Sequence, residues 1–272
     1  LGLSPVLVLP VDVAVGPGNG GLEAAARSAR RTAMTEAAAE LGASAVLLAH
    51  SLDDQAETVL LGLARGSGAR SMAGMVVRDG LWLRPLLGIR RHDLRAVVGE
   101  AGLTAHEDPH NADHSFARVR VRNEAMPALT ACLGESIVTN LARSAQLVRA
   151  DVEALDDWTQ VEVDHRVAVV ADRPTGKTAT VLIDPAGPPP LPALPQAIRT
   201  RVLRSAILAA GVPAGSLTAD HLLRSDALLL SGSATVVIRL PADFQLRWAS
   251  DKLAVQSAGP MHQLAHEPRS YE

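Results

Sequence analysis

Three scarcities narrow the reading of this chain before any motif is considered. Its 272 residues contain one cysteine, Cys132, so an internal disulfide and a cysteine-built metal cluster are both excluded. Lysine occurs only at Lys177 and Lys252, and arginine supplies the rest of the 26 basic residues. A GC-rich genome favours arginine everywhere, so half of that bias carries no functional meaning. No apolar run reaches the roughly 18 residues of a membrane span. The opening Leu1-Gly2-Leu3-Ser4-Pro5 lacks the basic region of a signal peptide. These absences point to a soluble protein of a reducing compartment, the cytoplasm, with no membrane partner. The missing initiator Met adds the expectation that Leu1 is not the natural start.

What is present suffices for two domains of ordinary size, with 47% apolar residues to build their cores. A net charge of −3 excludes a generally basic nucleic-acid binder. The charge is uneven, however. Residues 65–122 hold ten arginines against six acids, and residues 150–172 hold seven acids. A basic face on a mildly acidic protein suits a selective anionic partner.

One stretch, Ala49 to Met75, sets several polar residue types at fixed spacing on an apolar frame. The preceding Ala45-Val46-Leu47-Leu48 reads as a short buried strand, which puts His50 at its carboxyl end. Ser51 and Asp54 have capping-box spacing, so a helix starts near Leu52. Ala56, Val59, Leu60 and Leu63 recur at helical spacing as its buried face. Asp54 and Glu57, three apart, point the same way on its first turn. Gly66-Ser67-Gly68 then ends it in a loop with free amides. In open α/β sheets ligands bind beyond the carboxyl ends of the strands. Acids in a first turn often serve only the helix dipole, but His50, Asp53, Asp54 and Glu57 within eight residues favour a site.

Before this stretch, Val6–Val13 reads as a strand, Gly16–Gly21 as a turn, and 22–41 as a helix bearing Arg27, Arg30 and Arg31 and stopping at Gly42. Strand, helix, strand, helix is a parallel α/β pattern. After it come a short strand at Leu81-Trp82-Leu83 and a helix at about 90–101. The segment 116–122 places Arg118, Arg120 and Arg122 at alternate positions. As a strand all three arginines share a face; as a helix only Arg118 and Arg122 do. Pro127 is the expected boundary between domains 1–127 and 128–272. The second half reads as a long helix over 137–158, strands at 165–170 and 178–183, a Pro-rich linker at 187–192, helices at 195–210 and 218–230, and strands at 234–239 and 252–256. Its expected class is a smaller α+β, mainly helical domain. Gly176-Lys177-Thr178 imitates the end of a phosphate-binding loop, but Ala171 stands where that motif needs glycine.

Taken together, His50-x-x-Asp53-Asp54-Gln55-Ala56-Glu57-Thr58 followed by Arg65-Gly66-Ser67-Gly68 resembles the signature of the tRNA(Ile)-lysidine synthetase family, a branch of the PP-loop enzymes. The arginine helix around Glu23–Arg30, the Arg84-Pro85-Leu86-Leu87 segment, and Glu107-Asp108-Pro109-His110-Asn111 with the later arginine strip agree in order. The likeness covers about residues 20–130. It implies a parallel-sheet nucleotide-binding domain that adenylates the wobble cytidine of a tRNA(Ile) with a CAU anticodon. ATP and Mg2+ would be used, and the ε-amine of free L-lysine would then displace AMP to leave lysidine. It implies that Asp54 and Glu57 bind the ammonium of lysine. Arg30 with one or more of Arg84, Arg118 and Arg122 would offset phosphate charge, and His50 would contact the nucleotide or the transferring phosphate. Gly66, Ser67 and Gly68 would hold phosphate or RNA backbone, and Asn111 would join Arg84 on the substrate. A homodimer stays open.

The family's Ser-Gly-Gly-x-Asp-Ser loop does not occur in these 272 residues, Val119 replaces an expected Asn, and Arg31 replaces an expected aromatic. Without that loop ATP should bind poorly, so the expectation is a truncated form lacking full activity. Two alternatives follow. One is a non-catalytic tRNA-binding remnant. The other is a different PP-loop tRNA-modifying enzyme, among which a thiolase is disfavoured by the lone Cys132.

Overall fold

The computed structural model describes residues 2–13, 22–66, 68–106, 108, 113–172 and 179–258, with the backbone alone at 22–24 and 171–172. The expected turn at 16–21, Ser67, most of 107–111 and the Gly176-Lys177-Thr178 imitation lie outside these residues. The chain divides into two compact units, Leu1–Val152 and Glu153–Glu272, where Pro127 was the expected boundary.

In the first unit α1 (Leu22–Glu40) is alanine-rich and ends as expected, with Gly42 at φ +62° closing its last turn. Strand β1 (Val46–Leu47) leads to α2 (Leu52–Ala64), the short α3 (Ala69–Met72), β2 (Arg78–Asp79), β3 (Trp82–Leu83) and α4 (Arg91–Glu100). Then follow α5 (Ala117–Arg120), a π-helical turn (Val121–Ala125), α6 (Met126–Leu133) and the 31-residue α7 (Ser136–Arg166), which runs on into the second unit. The sheet order is β1-β3-β2. β1 pairs with β3 in parallel and β2 pairs with β3 antiparallel, so the sheet is mixed rather than parallel throughout.

Two expectations fail here. Residues 6–13 form no strand: they pair with nothing among the described residues, and Val6 and Val8 are 83% and 90% exposed. Valine and leucine supply strand propensity, but a strand exists only where a neighbouring ladder accepts it. Leu63 is also exposed, not on the buried face of α2. That helix instead buries Asp54, Gln55, Ala56, Glu57, Val59 and Gly62, and its apolar cluster is small, Ala56 with Met126 and Val138. Three of the six buried residues, Asp54, Gln55 and Glu57, are polar or charged.

The second unit is α+β, as expected, with more residues in its helices than in the five strands of its sheet. Strands β4 (Val167–Asp172), β5 (Ala179–Ile183), β6 (Val237–Leu240), β7 (Phe244–Ala249) and β8 (Lys252–Ser257) form an antiparallel sheet in the order β4-β5-β8-β7-β6. Helices α8 (Gln196–Ala209) and α9 (Ala219–Ser231) pack on it. Ile198, Val202, Leu203, Ala206 and Ile207 of α8 meet Val181, Ile183, Leu246, Leu253 and Val255 of the sheet, all 0% exposed. Inside that apolar layer Asp226 holds Arg199 by two hydrogen bonds of 2.7 and 2.8 Å.

Candidate active site

The site is built outward from the first turn of α2. Ser51 caps the helix: its hydroxyl receives the Asp54 backbone N–H at 3.3 Å and donates to Asp54 Oδ2 at 2.6 Å, while the Ser51 backbone N–H donates to the same oxygen at 2.8 Å. The capping box therefore fixes one carboxylate oxygen and leaves Oδ1 facing away. Asp53, one residue earlier on the helix, turns to α4. It accepts the Arg91 backbone N–H at 2.6 Å and the Arg90 guanidinium at 3.3–3.4 Å. Asp53 thus supplies an N-cap from a neighbouring element and holds α4 against α2.

Three guanidinium groups converge on Asp54 and Glu57. Arg91 donates to Asp54 Oδ1 at 3.1 Å and to Glu57 Oε1 at 2.7 Å. Arg118 reaches Glu57 Oε2 at 3.1 Å and Asp54 Oδ1 at 3.2 Å. Arg122 reaches Glu57 Oε1 at 2.8 Å and Oε2 at 3.0 Å, and Asp54 Oδ1 at 2.9 Å. Glu57 is 1% exposed. Three cations on two buried anions leave a net positive charge at this point, which favours an anionic ligand. The helical alternative for 116–122 holds: Arg118 and Arg122, four apart, share a face. Arg120 points away and donates to the carbonyls of His114 and Ser115.

The electrostatics follow from this packing. Burial alone would raise the pKa of Asp54, but the two Ser51 hydrogen bonds and the charges of Arg91 and Arg118 outweigh it and lower it to about 2. The Arg122 pKa is raised, chiefly by its hydrogen bonds to Glu57. His50 is half-buried and its Nδ1 is buried without a partner among the described residues. Desolvation lowers its pKa, Asp54 opposes the shift, and Arg118, Arg84 and Arg27 reinforce it. The imidazole is therefore neutral at pH 7. Arg27 is also lowered, by desolvation and then by Arg118, Arg31, Arg84 and Arg30, which marks a positive region around His50.

The other expected residues are distributed more widely. Arg30 is exposed on α1. Arg84 is 4% exposed and donates to the Val76 carbonyl at 2.8 Å, with its Nε buried and unpartnered. Gly66 uses its N–H to close α2 onto the Leu63 carbonyl at 3.0 Å, so that amide is not free as expected. Gly68, at φ +77°, precedes α3. Ser67 and Asn111 lie outside the described residues.

Three contributors escaped the sequence reading. Arg91 stood in a helix start with only its pairing to Arg90 as a signal. Gln55 exchanges two hydrogen bonds with the Met75 backbone, at 3.0 and 2.7 Å, as a strand partner would. Arg149 donates to the carbonyls of Ala73 and Gly74, so the loop after α3 is held from two sides. Beside the arginine cluster lies a cavity of about 460 Å3 lined by Asp53, Glu57, Arg90, Arg91, Arg122 and, from the α6 and α7 side, Met126, Pro127, Thr130, Glu135 and Val138.

A strand-to-helix turn that presents a histidine and paired acids, with arginines gathered on them, is an α/β site suited to an anionic ligand. The PP-loop domain matches residues 5–129. The chain is 47% identical to the tRNA(Ile)-lysidine synthase of Thermobifida fusca over 89% of its length and 69% of that protein's. It is 43% identical to that of Streptomyces coelicolor over 94% and 69%, and 41% identical to that of Salinispora arenicola over 95% and 74%. The chain belongs to the tRNA(Ile)-lysidine synthase family, ATP-using ligases built on a PP-loop domain.

Proposed function

We propose that the protein carrying this chain joins free L-lysine to the wobble cytidine of a tRNA(Ile) with a CAU anticodon, in the cytoplasm. The cytidine carbonyl oxygen at carbon two attacks the α-phosphorus of ATP and pyrophosphate leaves. The lysine ε-amine then adds at carbon two, AMP leaves, and the amine gives up a proton. The observation that carries this reading is the convergence of Arg91, Arg118 and Arg122 on Asp54 and Glu57 near His50, whose Nδ1 has no partner among the described residues.

In this reading the surplus cationic charge receives the phosphate that is transferred and released. Asp54 and Glu57 keep the guanidiniums in place, and Glu57 also faces the cavity that takes lysine. Neutral His50 offers a lone pair or an N–H to the nucleotide. Arg84 and Arg27 shape the field around it, Arg30 adds to the charge that offsets phosphate, Ser67 and Gly68 hold phosphate or RNA backbone, and Asn111 keeps the substrate role implied by the resemblance. Among the described residues no group of three or more His, Cys, Asp or Glu is arranged for a metal ion. The Asp54 and Glu57 oxygens are taken by nitrogen and hydroxyl donors, so Mg2+ does not fit those two carboxylates and is given no step there.

The test supplies the protein with ATP, lysine and the tRNA and measures pyrophosphate. Lysine-dependent release, with lysidine at the wobble position by mass analysis of the digested tRNA, is the expected result. The first step frees one pyrophosphate per site without lysine, so it is multiple-turnover release that must depend on lysine. Multiple turnover that ignores lysine, or no release at all, overturns the reading.

A further inference from the structure

We propose that Glu135 recognises the α-ammonium group of the amino-acid substrate, which makes it a specificity residue for free lysine. The inference rests on the lysine-ligating function proposed above. Three carboxylates line the cavity of about 460 Å3: Asp53, Glu57 and Glu135. Asp53 is taken by the Arg90 guanidinium and the Arg91 backbone N–H. Glu57 is taken by Arg91, Arg118 and Arg122 on both of its oxygens. Glu135 is exposed and, among the described residues, is the one lining carboxylate with no partner. An ammonium that enters the cavity therefore meets a single anion whose lone pairs are free.

Its position comes from the chain. Gly134, at φ +88°, ends α6, and the Ile137 N–H donates to the Gly134 carbonyl at 3.1 Å as α7 begins. Glu135 sits on this junction and lines the cavity together with the apolar Met126, Pro127 and Val138 and with Arg90, Arg91 and Arg122. A free lysine has the matching pattern. Its α-ammonium pairs with Glu135, its carboxylate with the guanidiniums of the cavity, and its aliphatic stem lies on the apolar residues. The ε-amine must lose its proton to act as a nucleophile, so a free carboxylate is better placed on the α-ammonium, which stays charged throughout.

Equilibrium dialysis of radiolabelled lysine and Nα-acetyl-lysine against wild type and Glu135→Gln tests the assignment without turnover. Wild type is expected to prefer lysine over the acetylated form. The variant is expected to bind lysine at least tenfold more weakly and to lose most of that preference, because the amide no longer distinguishes a charged amine. In turnover, KM for lysine rises by a similar factor while KM for tRNA holds. Equal lysine binding by the two proteins, no lysine binding by wild type, or an unchanged preference would overturn the assignment. Glu135-dependent lysine binding without lysine-dependent pyrophosphate release would uphold it and overturn the ligase reading, so the two failures are distinct.

Discussion

Asp54 is the residue at which packing, charge and capping meet. It is 9% exposed, yet its pKa lies near 2 because Ser51 and the arginines stabilise the anion more than burial penalises it. The sign for stability follows. A carboxylate whose folded pKa falls below its reference of 3.8 stabilises the native state at every pH above that reference. It loses the contribution as pH falls from about 4 toward 2. The size is about 2 kcal/mol. Denaturant titrations between pH 2 and 6 should show wild-type stability falling through this window, with a flatter profile in Asp54→Asn. Identical profiles would refute the link. Ser51 and Asp54 were legible in sequence as a capping box. Their role in fixing which oxygen faces the arginines was not, because that depends on partners 37 to 68 residues away in the chain.

The element that organises the first unit is α2, and it is held by close approach as much as by apolar burial. Gly62 has the Ser71 backbone carbonyl where a side chain would go: an added Cβ would stand 2.6 Å from that oxygen. Alanine favours a helix over glycine by about 1 kcal/mol, but a clash with backbone forces α3 to shift, at a typical cost of 1–3 kcal/mol. Gly62→Ala should therefore destabilise on balance, read as a fall of a few degrees in the thermal midpoint; a rise would show that α3 yields freely. Gly74 is constrained twice, by φ +64° and by the Gln55 amide 2.7 Å from a would-be Cβ. In the second unit the strand β7 was missed because its hairpins lack Asn-Gly or Asp-Gly signals. Ala242, Asp243 and Ser250 take positive φ there instead, and only the paired strands reveal it.

At the scale of the molecule, net charge misleads. The chain is at −3, yet Arg27, Arg30, Arg31, Arg84, Arg91, Arg118 and Arg122 belong to one unit, and the two acids at the centre are already neutralised by three of them. If about four of these arginines contact phosphate, tRNA affinity should drop roughly a hundredfold between 50 and 200 mM salt. Filter binding at several salt concentrations measures the slope, and an affinity that ignores salt would remove the phosphate contacts. Among the described residues no helix is long and apolar enough to cross a membrane.

The amino-acid sequence determined what depends on neighbours along the chain. The start and cap of α2, the ends of α1 and α4, the helical pairing of Arg118 with Arg122 as one of two options, and the family signature were all local patterns. Tertiary structure decided what depends on distant partners. It determined whether 6–13 would find a ladder, whether 116–122 would be strand or helix, and which carboxylate of the cavity would stay free of arginine. Short-range sterics and hydrogen bonds fix φ and ψ within a few residues, so they can be read in order. Burial, ion pairing and strand registry are set by groups that only the folded chain brings within 3 Å, and no spacing in the sequence encodes that distance.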